Sequence, residues 1–160
     1  MKKLALLFLI LSTSVFADIP VGHYELDKIM CSNGEALKLG GKFMSYTIAL
    51  DVTEIDMKMT AVAKSASWSP FKLFCTQINV GKFSYIEDNK YEGYLALNSV
   101  KCNAKIWEGR LRKHAFGIEE QGVFTYTVVG NKLTIQNPET VTKYSCKKTG
   151  SFPIYHYTLK

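Results

Sequence analysis

The sequence predicts an all-β chain, an antiparallel up-and-down meander of about eight to ten strands closed into a barrel, with one short helix or loop around residues 104–121. Three observations predict it. Segments rich in β-branched and aromatic residues alternate apolar and polar positions over most of the chain. Turn-forming pairs recur between them, at Asn33-Gly34, Asp88-Asn89, Gly130-Asn131 and Thr149-Gly150. The spacing leaves little room for the longer crossovers of a sandwich, and a meander must cover or join its two edges. A barrel of about eight strands joins them within one domain.

Each element follows from its own pattern. Residues 23–31 read as a first strand, with Tyr24, Leu26 and Met30 on one face. Residues 43–52 place Met44, Tyr46, Ile48 and Leu50 on one face and Ser45, Thr47 and Asp51 on the other. Met57, Met59, Ala61 and Ala63 then alternate with Lys58, Thr60, Val62 and Lys64, and Trp68-Ser69-Pro70 breaks the run. Residues 72–87 and 91–102 form a long hairpin around Asp88-Asn89, with Gly81 the expected bulge. Residues 123–129 and 132–136 form another across Gly130-Asn131, and residues 141–147 and 152–159 the last. Between residues 104 and 121 alternation stops. Trp107, Leu111 and Ala115 recur at helical spacing, so a short helix is expected over residues 104–114.

Composition narrows the classes. The chain has 160 residues, 47% of them hydrophobic and 21% charged, which suits one folded domain and excludes long disorder. With 4 prolines and 11 glycines it is neither collagen-like nor linker-rich. Twenty Lys and Arg against 14 Asp and Glu give a charge of +6. The densest basic run, Arg110-Leu111-Arg112-Lys113-His114, reads as a solvated face, because a nucleic-acid patch needs a wider basic surface. No nucleic-acid partner is expected.

The first residues predict export. Lys2 and Lys3 precede an apolar run from Leu4, and Val15-Phe16-Ala17 has small residues at −3 and −1 of a cut before Asp18. Residues 1–17 are therefore expected to be a signal peptide cleaved after Ala17, with residues 18–160 the single domain, periplasmic or secreted and without a membrane anchor. Loss of the two lysines lowers the charge from +6 to +4.

Cys31, Cys75, Cys102 and Cys146 all lie in the mature part, and an even count in an exported domain reads as structural disulfides. Three pairings are open. A two-residue loop at Asp88-Asn89 brings Cys75 opposite Cys102 and leaves Cys31 for Cys146, unless a bulge at Gly81 slips the register.

An exported chain that opens with Gly22-His23-Tyr24 and continues as a run of hairpins resembles the lipocalin-like (calycin) group, whose first strand usually begins Gly-x-Trp. The resemblance spans residues 21–159 in layout and Gly22 and Tyr24 in motif, with Tyr in place of the usual Trp. The basic partner common late in such barrels is not evident, although Lys143 or Lys160 could substitute, and the usual C-terminal helix is missing. The resemblance implies a barrel that holds a small hydrophobic molecule.

Motifs for chemistry are not found: no Gly-x-Ser-x-Gly elbow, no His-x-x-His or His-Glu-x-x-His, no glycine-rich phosphate loop. No catalytic residue, metal or cofactor is expected. Glu54 and Asp56 read as turn charges rather than a calcium site. His23 and His156, on the first and last strands, could approach each other if the barrel closes, but a metal needs further ligands.

The affirmative signal is the apolar face. Tyr24, Tyr46, Met57, Met59, Phe124 and Tyr126 are the expected ligand-binding residues, since Met adapts its shape and Tyr joins an apolar ring to a hydroxyl. The same residues could instead fill the core, as barrels of about eight strands allow either outcome. Trp107, Leu111, Phe116 and Ile118 could plug one end or pack outside it. The expected function is thus an exported, non-enzymatic carrier of a small hydrophobic or amphiphilic ligand. The alternative is an exported interaction module, such as an inhibitor of a hydrolase or protease, with a filled core and a protein partner at Trp68-Ser69-Pro70-Phe71. An exposed Trp68 favours the module; a buried one favours the carrier.

Overall fold

In the computed structural model, residues 19–87, 90–113, 120–136, 146 and 151–160 are described. The expected signal peptide, the hairpin strand at 141–147, and Phe116 and Ile118 fall outside or almost wholly outside these residues. The strands are β1 (Gly22–Cys31), β2 (Ala36–Leu37), β3 (Met44–Val52), β4 (Asp56–Ser65), β5 (Phe74–Glu87), β6 (Lys90–Cys102), β7 (Glu120–Val129), β8 (Lys132–Gln136) and β9 (Pro153–Leu159). Among the described residues a single helix, α1 (Lys105–Lys113), follows β6, where helical spacing replaces alternation. Each strand from β3 to β9 pairs antiparallel with the next, β1 pairs with β3, and β9 returns to β1. The result is a closed meander of eight strands, with two-residue β2 added on β1.

Up-and-down order sorts the connections by length. Those at the turn end, β3–β4, β5–β6 and β7–β8, are short, and β1 begins and β9 ends there. Those at the loop end are long and include β2 and α1. Gly130 shows how a short one closes: Val129 pairs with Lys132, and Gly130 takes φ 61°, the left-handed conformation a two-residue hairpin loop needs. Both disulfides lie at the loop end. Cys31–Cys146 spans 115 residues, and Cys75–Cys102 joins directly opposed residues of β5 and β6. They belong to an oxidising compartment. Among the described residues, no helix is long and apolar enough to cross a membrane.

The Cys75–Cys102 register survives for a reason that differs from expectation. Gly81 is not the bulge; it pairs in step with Leu95 and with Met57. Two slips occur instead, between Tyr85 and Glu87 and between Ile78 and Asn79. The first leaves Ile86 of β5 without an opposite, the second Asn98 of β6. One extra residue on each strand cancels the other, so Glu87 faces Lys90 and Cys75 faces Cys102. Gly81 is required by close approach: a Cβ there would lie 1.9 Å from the backbone oxygen of Tyr94.

A third slip, between Leu26 and Lys28 in β1, alters the expected facing of that strand. Tyr24 and Leu26 turn inward as predicted, but beyond Asp27 the inward set becomes Ile29 and Cys31, and Met30 is only half-buried. The displaced Asp27 carboxylate accepts from Lys132 Nζ at 2.9 Å and from the Thr158 hydroxyl. These contacts tie β1, β8 and β9 across the closing seam, and they hold the Asp27 carboxyl below its ordinary range, Thr158 first and Lys132 next.

Two predictions test this account. Gly81→Ala should destabilise the fold by about 2 kcal/mol or more, since backbone must move to admit the methyl group. Gly109→Ala, at a helical site with nothing within 4 Å of the added carbon, should be neutral or stabilising by up to about 1 kcal/mol. Equal effects in chemical denaturation would contradict the assignment of Gly81 to close packing. The seam also predicts a pH dependence. His156 of β9 is held below its ordinary 6.5 by burial, reinforced by Lys28 and opposed by Asp27. Unfolded His156 therefore binds its proton first as pH falls, so stability is full above 6.5 and declines below it. Asp27 acts in the same direction at lower pH: its contribution is present above the ordinary 3.8 and lost as pH falls through the lower folded value. His156→Gln should flatten the fall in Tm between about pH 7 and pH 5.5 relative to the parent chain.

Candidate functional site

The interior is built by register. Tyr24 opposes Leu50, Leu50 opposes Met59, and Met59 opposes Asn79, so four strands send these side chains to one level. Tyr157, Leu133 and Val128 form a level on the other wall. Of the predicted ligand-binding residues, Tyr24, Met57, Met59 and Tyr126 are buried in one apolar cluster, and Phe124 packs against it. Tyr46, half-buried, lies outside the cluster among the described residues, and its hydroxyl donates to Met44 Sδ at 3.8 Å.

The tyrosines expected to orient a ligand engage the protein itself. The Tyr24 hydroxyl donates to the Pro20 carbonyl at 2.7 Å, and burial raises its pKa above the ordinary tyrosine value. Ile19, beside Pro20, belongs to the core cluster. Tyr126 meets Tyr91, hydroxyl to hydroxyl at 2.8 Å and ring to ring at 4.5 Å in an edge-on pair. Tyr91 is the residue sequence reasoning missed. It is 2% exposed and gathers Phe83, Tyr85 and Phe124 at centroid distances of 5.5, 5.6 and 6.2 Å. Alternation from Tyr91 through Gly93 and Leu95 carried that signal.

A buried polar pair was also missed. Gln77 Nε2 donates to Asn79 Oδ1 at 2.6 Å, both residues lying on the inward face of β5 opposite Ala61 and Met59. The run Cys75, Gln77, Asn79, Gly81 places them there by period two, but polar residues at inward positions read as a wet face.

The loop end is the other candidate. Trp68 is 58% exposed, Phe43 59%, Phe71 80% and Phe74 45%. They are held in place. Ala66 N–H donates to the Phe43 carbonyl, Ser65 N–H to the Leu73 carbonyl, and Asn103 N–H to the Phe74 carbonyl. Phe43 and Trp68 rings lie 5.1 Å apart, and Lys64 Nζ stands 5.6 Å from the Phe74 ring centre. Trp107, in α1, is also exposed at the same end.

Closure does not bring the two histidines together. His23 Nδ1 lies 2.6 Å from Asp51 Oδ1, whereas His156 opposes Lys28 and contacts Thr134. Glu54 and Asp56 lie at a turn organised by Thr53, whose hydroxyl accepts the Asp56 N–H. Lys160 Nζ pairs with Glu25 at 3.2 Å and does not serve Tyr24.

No protein-family model matches the chain, and no curated protein or solved structure matches it significantly.

The tyrosine pair gives a third prediction. Tyr91→Phe or Tyr126→Phe alone should cost about 1 kcal/mol, because each removes the hydroxyl facing a buried one. The double substitution should cost clearly less than the two single effects together. Additive losses in equilibrium unfolding would show that the two hydroxyls do not support each other.

Proposed function

We propose that this protein is an exported, non-enzymatic interaction module of lipocalin-like architecture, cleaved after Ala17, that works through its loop end. The carrying observation is the exposure of Trp68 within a braced group that includes Phe43, Phe71 and Phe74. A large exposed apolar group on a soluble domain marks a contact surface. Bracing matters because a backbone already held by hydrogen bonds loses little freedom when a partner arrives. The interior contacts support the same reading: the Tyr24 and Tyr126 hydroxyls, which would orient a ligand, are engaged by Pro20 and Tyr91.

A second reading, a carrier with a small hydrophobic or amphiphilic ligand inside the barrel, is favoured by Gln77 and Asn79. An amide pair on an otherwise apolar wall beside Ala61 could orient one polar group of such a ligand.

Two measurements separate the readings. A photo-crosslinking amino acid placed at Phe71 in the producing cells should yield adducts, whereas one at Val129, 70% exposed at the turn end, should not. Native mass spectrometry of the chain from its own cells should show only the mature mass. Equal labelling at both positions would remove the module. A discrete extra mass lost on denaturation would install the carrier.

A further inference from the structure

Resting on the loop end as the working surface, we infer that its partner is an anionic phospholipid bilayer, with Trp68, Phe71 and Phe43 in the headgroup layer and lysines on the lipid phosphates. Charge carries the first part of the argument. Lys42, Lys64, Lys72, Lys101 and Lys105 are all exposed on or beside the strands and loops that present the aromatic rings. The carboxylates among the described residues of this end are Glu35, Glu108 and, at the start of β7, Glu120, and Glu108 Oε1 accepts the Cys102 N–H at 2.9 Å. Asp51, Glu54, Asp56 and Glu87 lie at the opposite end. The ion pairs His23–Asp51, Glu25–Lys160, Asp27–Lys132 and Glu87–Lys90 sit there or on the closing seam. Exposed Lys58, Lys82, Lys90, Lys132 and Lys160 offset the carboxylates of that end, so an anionic plane attracts the aromatic end the more strongly and the field biases the barrel's orientation before contact.

Lysine decides between lipid and protein. Tryptophan and phenylalanine suit both kinds of surface, but lysine is depleted in protein–protein interfaces, where arginine supplies the cationic anchors. Tryptophan and phenylalanine beside lysine are the composition of surfaces that lie in a headgroup layer. Lysine suits it, because its stem follows apolar surface while the ammonium reaches phosphate. Phe71, at 80% exposure beside Pro70, stands clear of its neighbours as an insertion tip does. The strand that follows it is anchored by the Cys75–Cys102 disulfide and by the Phe74 N–H donating to Asn103 Oδ1 at 3.1 Å.

The test uses the mature, oxidised chain with two vesicle types, pure phosphatidylcholine and phosphatidylcholine with about one-third phosphatidylglycerol. Trp107→Phe leaves Trp68 as the single reporter, since the chain holds 2 tryptophans. Co-sedimentation should be at least about tenfold stronger on the anionic vesicles and should weaken as salt rises. Trp68 emission should shift to the blue on binding. Trp68→Ala with Phe71→Ala should reduce binding about tenfold or more, and Lys101→Gln with Lys105→Gln should reduce it and flatten the salt dependence. Val129→Ala should leave it unchanged. Unaltered thermal unfolding and intact disulfides certify each variant as folded. The inference is overturned if anionic vesicles fail to bind the chain, or if binding ignores the aromatic substitutions. Adducts at position 71 in cells without vesicle binding would assign the surface to a protein partner; the interaction module would stand and the lipid would fall.

Discussion

Closure of β9 onto β1 is the constraint on which the remaining structure depends. Without it, the first and last long strands would be bare edges, open to pairing with other chains. With it, every long strand has two neighbours, and each side chain is committed to wall or interior. β1 carries the burden of the join. It serves β3 with one stretch and β9 with nearly its whole length, and the slip at Asp27 falls beyond the stretch that β3 pairs. That slip turns a carboxylate outward onto Lys132 and Thr158, so an irregularity of the closing seam supplies its polar clasp.

Most of the strand order was legible because period-two alternation is strong where one face is dry. β3 and β4 show it plainly: Ile48, Leu50, Met57 and Met59 are buried as their spacing requires. The disulfide pairing was legible for the same reason, through hairpin register. What escaped was irregularity. Bulges at Asp27, Ile86 and Asn98 have no distinctive residue, since any side chain can occupy one, whereas Gly81 looked like a bulge and marks a close approach instead. The candidate site was legible in outline: the predicted lining does point inward, apart from the marginal position of Tyr46. Its partners were not, because Tyr91 meets Tyr126 only across a strand pairing distant in sequence.

The barrel separates two kinds of work. Its wall and interior are a scaffold in which rings pack against rings and the tyrosine hydroxyls engage protein atoms. Its loop end holds the long connections, the helix, both disulfides and the exposed Phe43, Trp68, Phe71 and Phe74. Rigid strands hold the ends of those connections, and the disulfides fix them where hydrogen-bonded pairing stops. On the proposed reading, such a surface meets its partner by fixed shape and charge, not by rearrangement.

The two disulfides differ in how far apart along the chain their cysteines lie, and this gives the molecule a history. Cys75 and Cys102 meet when one hairpin zips, an event of the microsecond scale that needs no other part of the barrel. Cys31 and Cys146 must find each other across 115 residues, at a greater entropic cost. Formation of either bond leaves a single partner for each remaining cysteine within one chain, so the two bonds differ in the stretch of chain they close and in its entropic cost, not in the pairing they leave open.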